Sequence, residues 1–254
     1  MPGALRRIGI GLGTEAEKVM VGVQTVIRPD LEIICYGLPG AIRIPCSSNI
    51  TFFGSDCPEQ ALVDDLMAGR IDAAVRGTLP ANATLKALKK GAGVDHLERI
   101  ALLETADRKK FLLTPVGIDE GWTVAEKLEL IRKGRTIAKK LGLPGKVCIL
   151  SGGRLGDIGR HRQVDASLAE AELVARLGDA MHCEILIEDA VKTCGLIIAP
   201  DGISGNLIFR TLVFLGAGYG HGAPVVNIDR IFVDTSRASP NYANALLLAA
   251  SLLE

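Results

Sequence analysis

Apolar strand-like runs and amphipathic helical stretches alternate along nearly the whole chain, and this alternation narrows the fold more than any other feature. Runs such as LEIICYG (31–37), KVCILS (146–151) and GLIIAPD (195–201) are continuous in Ile, Val and Leu. Strands that are apolar on both sides are buried on both faces, the mark of a mostly parallel sheet covered by helices. Further strand candidates are RIGIGLG, NITFFG, ERIALLE, KKFLLTPV and CEILIED. Between them lie helical patterns with start and stop signals. Thr14 with Glu17 and Asp56 with Glu59 read as capping boxes, and Gly69 reads as a stop. From Thr123 the pattern restarts with a long helix, so the segment Pro115–Gly121 is the expected crossing between two subdomains.

With 254 residues the chain is long enough for one large or two modest α/β domains. Its core draws on Leu, Ile, Val and Ala, because only 4% of residues are aromatic. Lys plus Arg (29) equals Asp plus Glu (29), so no net field favours nucleic acid or an anionic membrane. No apolar run is long enough to span a bilayer, and the N-terminus lacks a signal-peptide pattern. The six cysteines show no C-x-x-C spacing. Several sit in apolar runs, where Cys acts as a small hydrophobe, which points to a reduced, cytoplasmic protein. Cys46 and Cys57 flank polar turns and are the cysteines to consider as ligands or redox groups. His96, His161 and His182 show no metal-ligand spacing, and no metal is expected.

Polar, small-residue turns follow several strands, at the place where open α/β sheets bind ligands. Helix N-termini there aim N–H groups and a positive dipole end at an anion. In the first half the turn holds Arg76, Gly77, Thr78 and Asn82, and a charged Arg76 at an apolar strand end must be either paired or facing a ligand. In the second half, Ser151, Gly152, Gly153 and Arg154 form a candidate anion cradle, with Arg160 and Arg162 nearby. Asp201, Gly202, Gly205 and Asn206 follow LIIAP, with Asn206 expected to cap the next helix. Ser236 and Arg237 precede Ser239-Pro240, a suitable N-cap and N1 pair. Arginine offers bidentate phosphate recognition and serine a hydroxyl for a phosphoryl oxygen. His221, in the glycine segment GYGHGAP, has the right ordinary pKa for an acid or base. The run Gly9-Ile10-Gly11-Leu12-Gly13 invites a nucleotide-loop reading, but a lone G-x-G-x-G is weak and a tight turn explains it as well.

Four segments together resemble the phosphate acetyl- and butyryltransferase family, and more distantly the fatty-acid phosphate acyltransferases. They are DAAVRGTLPANATLKAL (72–88), TVAEKLELIRKGRTIAKKLGLPGKVCILSGG (123–153), APDGISGNLIFR (199–210) and VDTSRA (233–238), in the family's order. The chain looks closer still to a methanogen-restricted branch of that superfamily, often labelled a methyltransferase or methanogenesis marker. The resemblance implies a two-subdomain α/β/α sandwich of the isocitrate/isopropylmalate dehydrogenase type, with an active cleft between the subdomains. It implies a first subdomain of residues 1–116 plus 228–254, a second of 117–227, and a homodimer. One departure stands out. The acyltransferases carry an aspartate seven residues after the Ser of the Ser-Arg pair, as base for the coenzyme A thiol, and here that position is Ala243.

The leading expectation is a transferase for a small phosphate-bearing substrate, with coenzyme A or an acyl phosphate as possible cofactor. Ser236, Arg237, Asp201 and His221 would be catalytic. Arg76, Thr78, Asn82, Ser151, Gly153, Arg154, Gly205 and Asn206 would bind substrate. The alternatives are a methyltransferase or methyltransferase-associated protein of one-carbon metabolism, which rests on the label of similar chains, and a non-catalytic ligand sensor, which rests on Ala243.

Overall fold

The computed structural model describes residues 5–42, 49–236, 239 and 241–254. In chain order the first elements are β1 (Arg6–Leu12), α1 (Ala16–Thr25), β2 (Leu31–Gly37), β3 (Ile50–Gly54), α2 (Pro58–Met67), β4 (Ala73–Val75) and α3 (Ala81–Ala92). Then come β5 (Ala101–Glu104), β6 (Lys110–Thr114), α4 (Val124–Lys140), β7 (Val147–Ile149), α5 (Arg162–Leu177), β8 (Met181–His182), α6 (Ile187–Thr193), β9 (Leu196–Ile198) and α7 (Gly202–Phe214). The chain ends with β10 (Tyr219–Pro224), β11 (Ile231–Asp234) and α8 (Ala243–Leu252). The fold is α/β with mostly parallel strands. Two compact units emerge: residues up to Leu97 together with His221–Glu254, and Glu98–Gly220. The resemblance implies a first division at 116/117. β5 and β6 instead go with the second unit, because β6 pairs in parallel with β9.

In the first unit the strands run β3-β2-β1-β4-β11-β10, all parallel except β10 against β11. β1 explains why the sheet can be covered so closely. Ile8, Ile10 and Leu12 point to one face, where α1 and the largely apolar α8 pack. Gly9 points to the other face, in the row Ile34–Gly9–Ala74–Phe232. A Cβ on Gly9 would lie 2.6 Å from Ile71 and 2.7 Å from Leu62, so the missing side chain admits α2 and its neighbours. Tyr36, Leu62, Leu66, Leu88 and Phe232 fill that side of the core. The G-x-G-x-G run is therefore largely inside a strand, and its glycines serve close packing rather than a nucleotide loop.

In the second unit the order is β5-β6-β9-β7-β8, parallel apart from β5 with β6. α4 starts at Thr123, whose hydroxyl accepts from Glu126 N while Glu126 accepts from Trp122 N at 2.7 Å. α7 lies backbone to backbone on the Pro115–Gly117 turn: a Cβ on Gly202 would meet Gly117 O at 1.6 Å, and one on Gly205 would meet Pro115 O at 1.9 Å.

Several local expectations are overturned. α1 begins after Glu15 in a left-handed conformation and α2 after Cys57 with Pro58 at N1, neither with a side-chain cap, so the two proposed boxes are not formed. CEILIED folds as a loop and the start of α6 instead of a strand; Glu188 and Asp189 lie in that helix's first turn, which suits the dipole. GYGHGAP is mostly strand β10 rather than a flexible segment. The last helix starts at Ala243, three residues later than a cap at Ser239 requires, and Asn241 Oδ1 accepts from Ala243 N at 2.7 Å.

Gly77 has φ +60°, and a Cβ there would sit 2.0 Å from Gly11 O. Gly77→Ala should destabilise the fold by at least about 1–3 kcal/mol from backbone strain alone, read as a lower denaturant midpoint at unchanged m-value.

Candidate functional site

The carboxyl ends of β1, β4 and β11 meet at one edge of the first unit's sheet. Thr78 Oγ1 accepts from Gly13 N at 2.9 Å, and Thr235 Oγ1 donates to Gly77 O at 2.8 Å. Arg76, only 4% exposed, donates from Nε to Asp234 Oδ1 at 2.5 Å and from Nη1 to Leu79 O at 2.8 Å. Thr235 N donates to the same Asp234 oxygen at 2.9 Å. Of the two roles open to Arg76, it takes the paired one, with its Nε and Nη1 holding strand ends together. Ser236 follows directly, its carbonyl accepting from Tyr242 OH at 3.1 Å and from Ser239 N at 3.0 Å. This brings Arg76, Thr78 and Ser236 to neighbouring strand ends. Asn82 is exposed in the first turn of α3, and half-buried His221 lies on β10. Arg237 and Cys46 lie outside the described residues.

Ala243 is 7% exposed at the start of α8, its amide 2.8 Å from where a Cβ on Gly22 would stand. Ala243 is thus part of an enclosed contact between α8 and α1.

In the second unit the predicted anion cradle already holds the chain's own acceptors. Gly152 N donates to Ser167 Oγ at 2.8 Å, Arg154 N to Asp157 Oδ2 at 2.9 Å, and Leu155 N to Glu184 Oε1 at 2.9 Å. Gly159 N donates to Asp165 Oδ1 at 2.8 Å. Exposed Arg154 and Arg160 flank Asp157, whose carboxyl is held below its ordinary value by the Arg154 amide and the Arg160 guanidinium. These amides, and the Arg160 guanidinium at 2.6 Å from Asp157 Oδ1, are thus met by the chain's own acceptors. Gly153 packs where a Cβ would be 2.7 Å from Val164.

Ser151 is 1% exposed, and His182 Nε2 stands 2.9 Å from its Oγ, with Nδ1 3.1 Å from Glu172. Sequence reasoning finds no histidine partner for a serine, because His182 is 31 residues away and arrives through β8 pairing with β7. The row resembles a nucleophile–base–acid relay. Ser151 Oγ, however, donates to Gly153 O at 3.0 Å, and its enclosure makes it a structural hydroxyl.

Asp201, not Asn206, caps α7, accepting from Ser204 N at 2.7 Å. Asn206 is interior to the helix and donates to Val116 O at 2.9 Å, while Gly205 makes the close contact with Pro115. These two contacts anchor α7 on the Pro115–Gly117 turn. Asp201 does line a cavity of about 180 Å³ beyond the ends of β7 and β9, with Trp122, Gln163, Ser167 and the ion pair of buried Lys127 with half-exposed Glu170. Lys127 escapes sequence reasoning because a lysine on a helix ordinarily faces water.

The chain is 36% identical over 261 residues to an uncharacterized methyltransferase of Methanopyrus kandleri, covering 97% of this chain and 98% of that one. It is 52% identical over 200 residues to mtx subunit X of Methanosarcina mazei, named as a candidate methyltransferase subunit, covering 77% and 71%. The chain belongs to the mtx subunit X family. No family model matches it. Among solved structures, this mtx subunit X relative resembles a branched-chain phosphotransacylase from Enterococcus faecalis, with TM-score 0.73 and 18% identity over 98% of this chain and 100% of that one. It also resembles 4-hydroxythreonine-4-phosphate dehydrogenase from Klebsiella pneumoniae, with TM-score 0.63 and 9% identity over 98% of this chain and 100% of that one. The fold class is thereby that of phosphotransacylases and their dehydrogenase relatives. Among the described residues no helix is long and apolar enough to cross a membrane.

Glu120 escapes sequence reasoning because it lies in a connecting turn. Its side chain is 1% exposed and accepts from Arg99 Nε at 2.6 Å and from Gly117 N at 3.2 Å. Burial pushes its carboxyl above the ordinary value, with Arg99 and the backbone amides opposing. A carboxyl raised in the folded state stabilises fully below its unfolded pKa, and that contribution is lost as pH rises through the folded value. Native stability should therefore carry a downward slope from about pH 4.3, which Glu120→Gln removes. Glu120→Ala, which strands Arg99, should cost about 3–5 kcal/mol by denaturant titration.

Proposed function

We propose that this mtx subunit X relative is a transferase-type protein that binds a small phosphate-bearing molecule beside the ends of β4 and β11. The observation that carries this reading is the convergence of Arg76, Thr78, Asp234, Thr235 and Ser236 at that edge, on a phosphotransacylase fold. The first unit's chain reverses direction across the sheet between β1 and β4, a position at which open α/β sheets bind ligands. Arg76 there acts as a positioning residue for the Asp234–Ser236 turn, and Ser236 with Arg237 contacts the phosphate. The reading includes a homodimer, as in the family the sequence resembles.

A second reading, methyl-group transfer or a supporting role in it, is favoured by the names of the M. mazei and M. kandleri relatives. A thermal-shift panel separates the two. A ligand that binds only the folded state stabilises by about 2.7 kcal/mol at a hundredfold excess over Kd. Phosphate and acetyl phosphate should raise the melting temperature in the native chain, and Arg237→Ala should abolish the shift. Stabilisation by S-adenosylmethionine or a corrinoid alone would instead favour the methyl-transfer reading.

Coenzyme A-dependent acetyl transfer should run at or near background. A general base contributes about 10²–10⁴-fold, and position 243 supplies none. Robust turnover from acetyl phosphate and coenzyme A would assign the base to another group, with Asp201 and His221 the first to mutate.

A further inference from the structure

Outside the proposed phosphate edge, the second unit gathers three cysteines that are far apart in sequence. Cys148 lies in β7, Cys183 directly follows β8, and Cys194 caps the C-terminus of α6. Their three sulfur atoms all lie within 4.8 Å of one another. Cys148 and Cys183 are joined as a disulfide, and Cys194 is a free thiol that is 2% exposed. A disulfide needs only two sulfurs; the third, brought in by a separate element, is what calls for an explanation. The backbone holds each one in place: Cys148 pairs in register with Met181 and Ile197, Cys183 N donates to Ile149 O at 2.9 Å, and Cys194 N donates to Ala190 O at 2.9 Å.

Three sulfurs around a tetrahedral zinc-class ion at about 2.3 Å stand roughly 3.8 Å apart. A trio confined within 4.8 Å needs only small side-chain adjustments to reach that geometry. Thiolates select soft, thiophilic cations over magnesium or calcium. Three buried thiolates without a counter-charge would be costly, and a divalent ion offsets most of that charge. His182 is the nearest nitrogen donor in sequence, but both its ring nitrogens are already engaged, by Ser151 and Glu172. Half-buried Cys183 lines an open cavity of about 550 Å³ together with Met181, His182 and Thr193.

We propose that Cys148, Cys183 and Cys194, in their reduced state, form a three-thiolate site for one zinc-class ion, whose fourth position faces this cavity. The disulfide is then the oxidised form of the same site. A dithiol reductant delivers two electrons and two protons to Cys148 and Cys183 and is itself oxidised to a disulfide. Binding of the divalent ion then displaces the three thiol protons. A three-ligand site with an open position can accept water or an external thiol as fourth ligand.

The test uses the full chain, reduced with a dithiol under anaerobic conditions and titrated with Co(II). We expect one equivalent of Co(II) with a sulfur-to-cobalt charge-transfer band, displaced by Zn(II). Cys148→Ser and Cys194→Ser should lose the band, and Cys57→Ser, at the exposed start of α2, should keep it. Because buried cysteine variants can fail to fold, the native chain is also alkylated with iodoacetamide with and without Zn(II). In the reduced chain, zinc should protect half-buried Cys183 but not exposed Cys57, as read by mass spectrometry. A folded, reduced chain with no charge-transfer band, a band that persists in Cys194→Ser, or alkylation indifferent to zinc overturns the proposal.

Discussion

Two stretches of backbone touch at Gly11 and Gly77, and the carboxyl edge of the first unit's sheet is arranged around that contact. No side chain fits there: a Cβ on Gly77 would be 2.0 Å from Gly11 O, and one on Gly13 would be 2.4 Å from Thr78 O. With the β1 and β4 ends pressed together, Thr78 can cap Gly13 N, and Thr235 can reach Gly77 O from the neighbouring strand. Arg76 then meets Asp234 in a nearly enclosed setting. There a charge must be paired, because desolvation of an unpaired guanidinium would outweigh any other gain. The polar edge of the sheet thus follows from a steric fact about glycine.

The second unit meets a similar electrostatic problem in the same way, with its own carboxylates. Its strand-end loop presents several amides that could receive an external anion, yet Asp157, Asp165 and Glu184 of the same chain occupy them. Glu120 does the same for Gly117 and Arg99 in the turn beneath α7. Internal carboxylates at amide clusters rigidify loops and remove them from competition for phosphate. The cysteine trio lies elsewhere and carries separate chemistry.

Element types are largely legible in the residue pattern. Continuous apolar runs form central parallel strands, and long capped patterns such as 124–140 form helices. Capping is less legible, because it depends on the single residue at which the backbone turns. Asp201 wins over Asn206 because α7 begins at Gly202, pressed onto the Pro115–Gly117 turn. CEILIED has strand composition, yet Glu188 and Asp189 fall in the first turn of α6 and Cys183 is bonded to Cys148.

Sequence by itself determined the α/β class and the strand-end location of the polar turns, since these follow from periodicity and turn chemistry. It also indicated that Arg76 had to be paired or ligand-facing, without saying which. Tertiary structure alone decided that Asp234 is its partner, that His182 reaches Ser151, that Glu120 is buried and that three cysteines meet. Each of these joins residues far apart in the chain, and only the order and register of strands bring them together. Local pattern carries no information about which strand lies beside which.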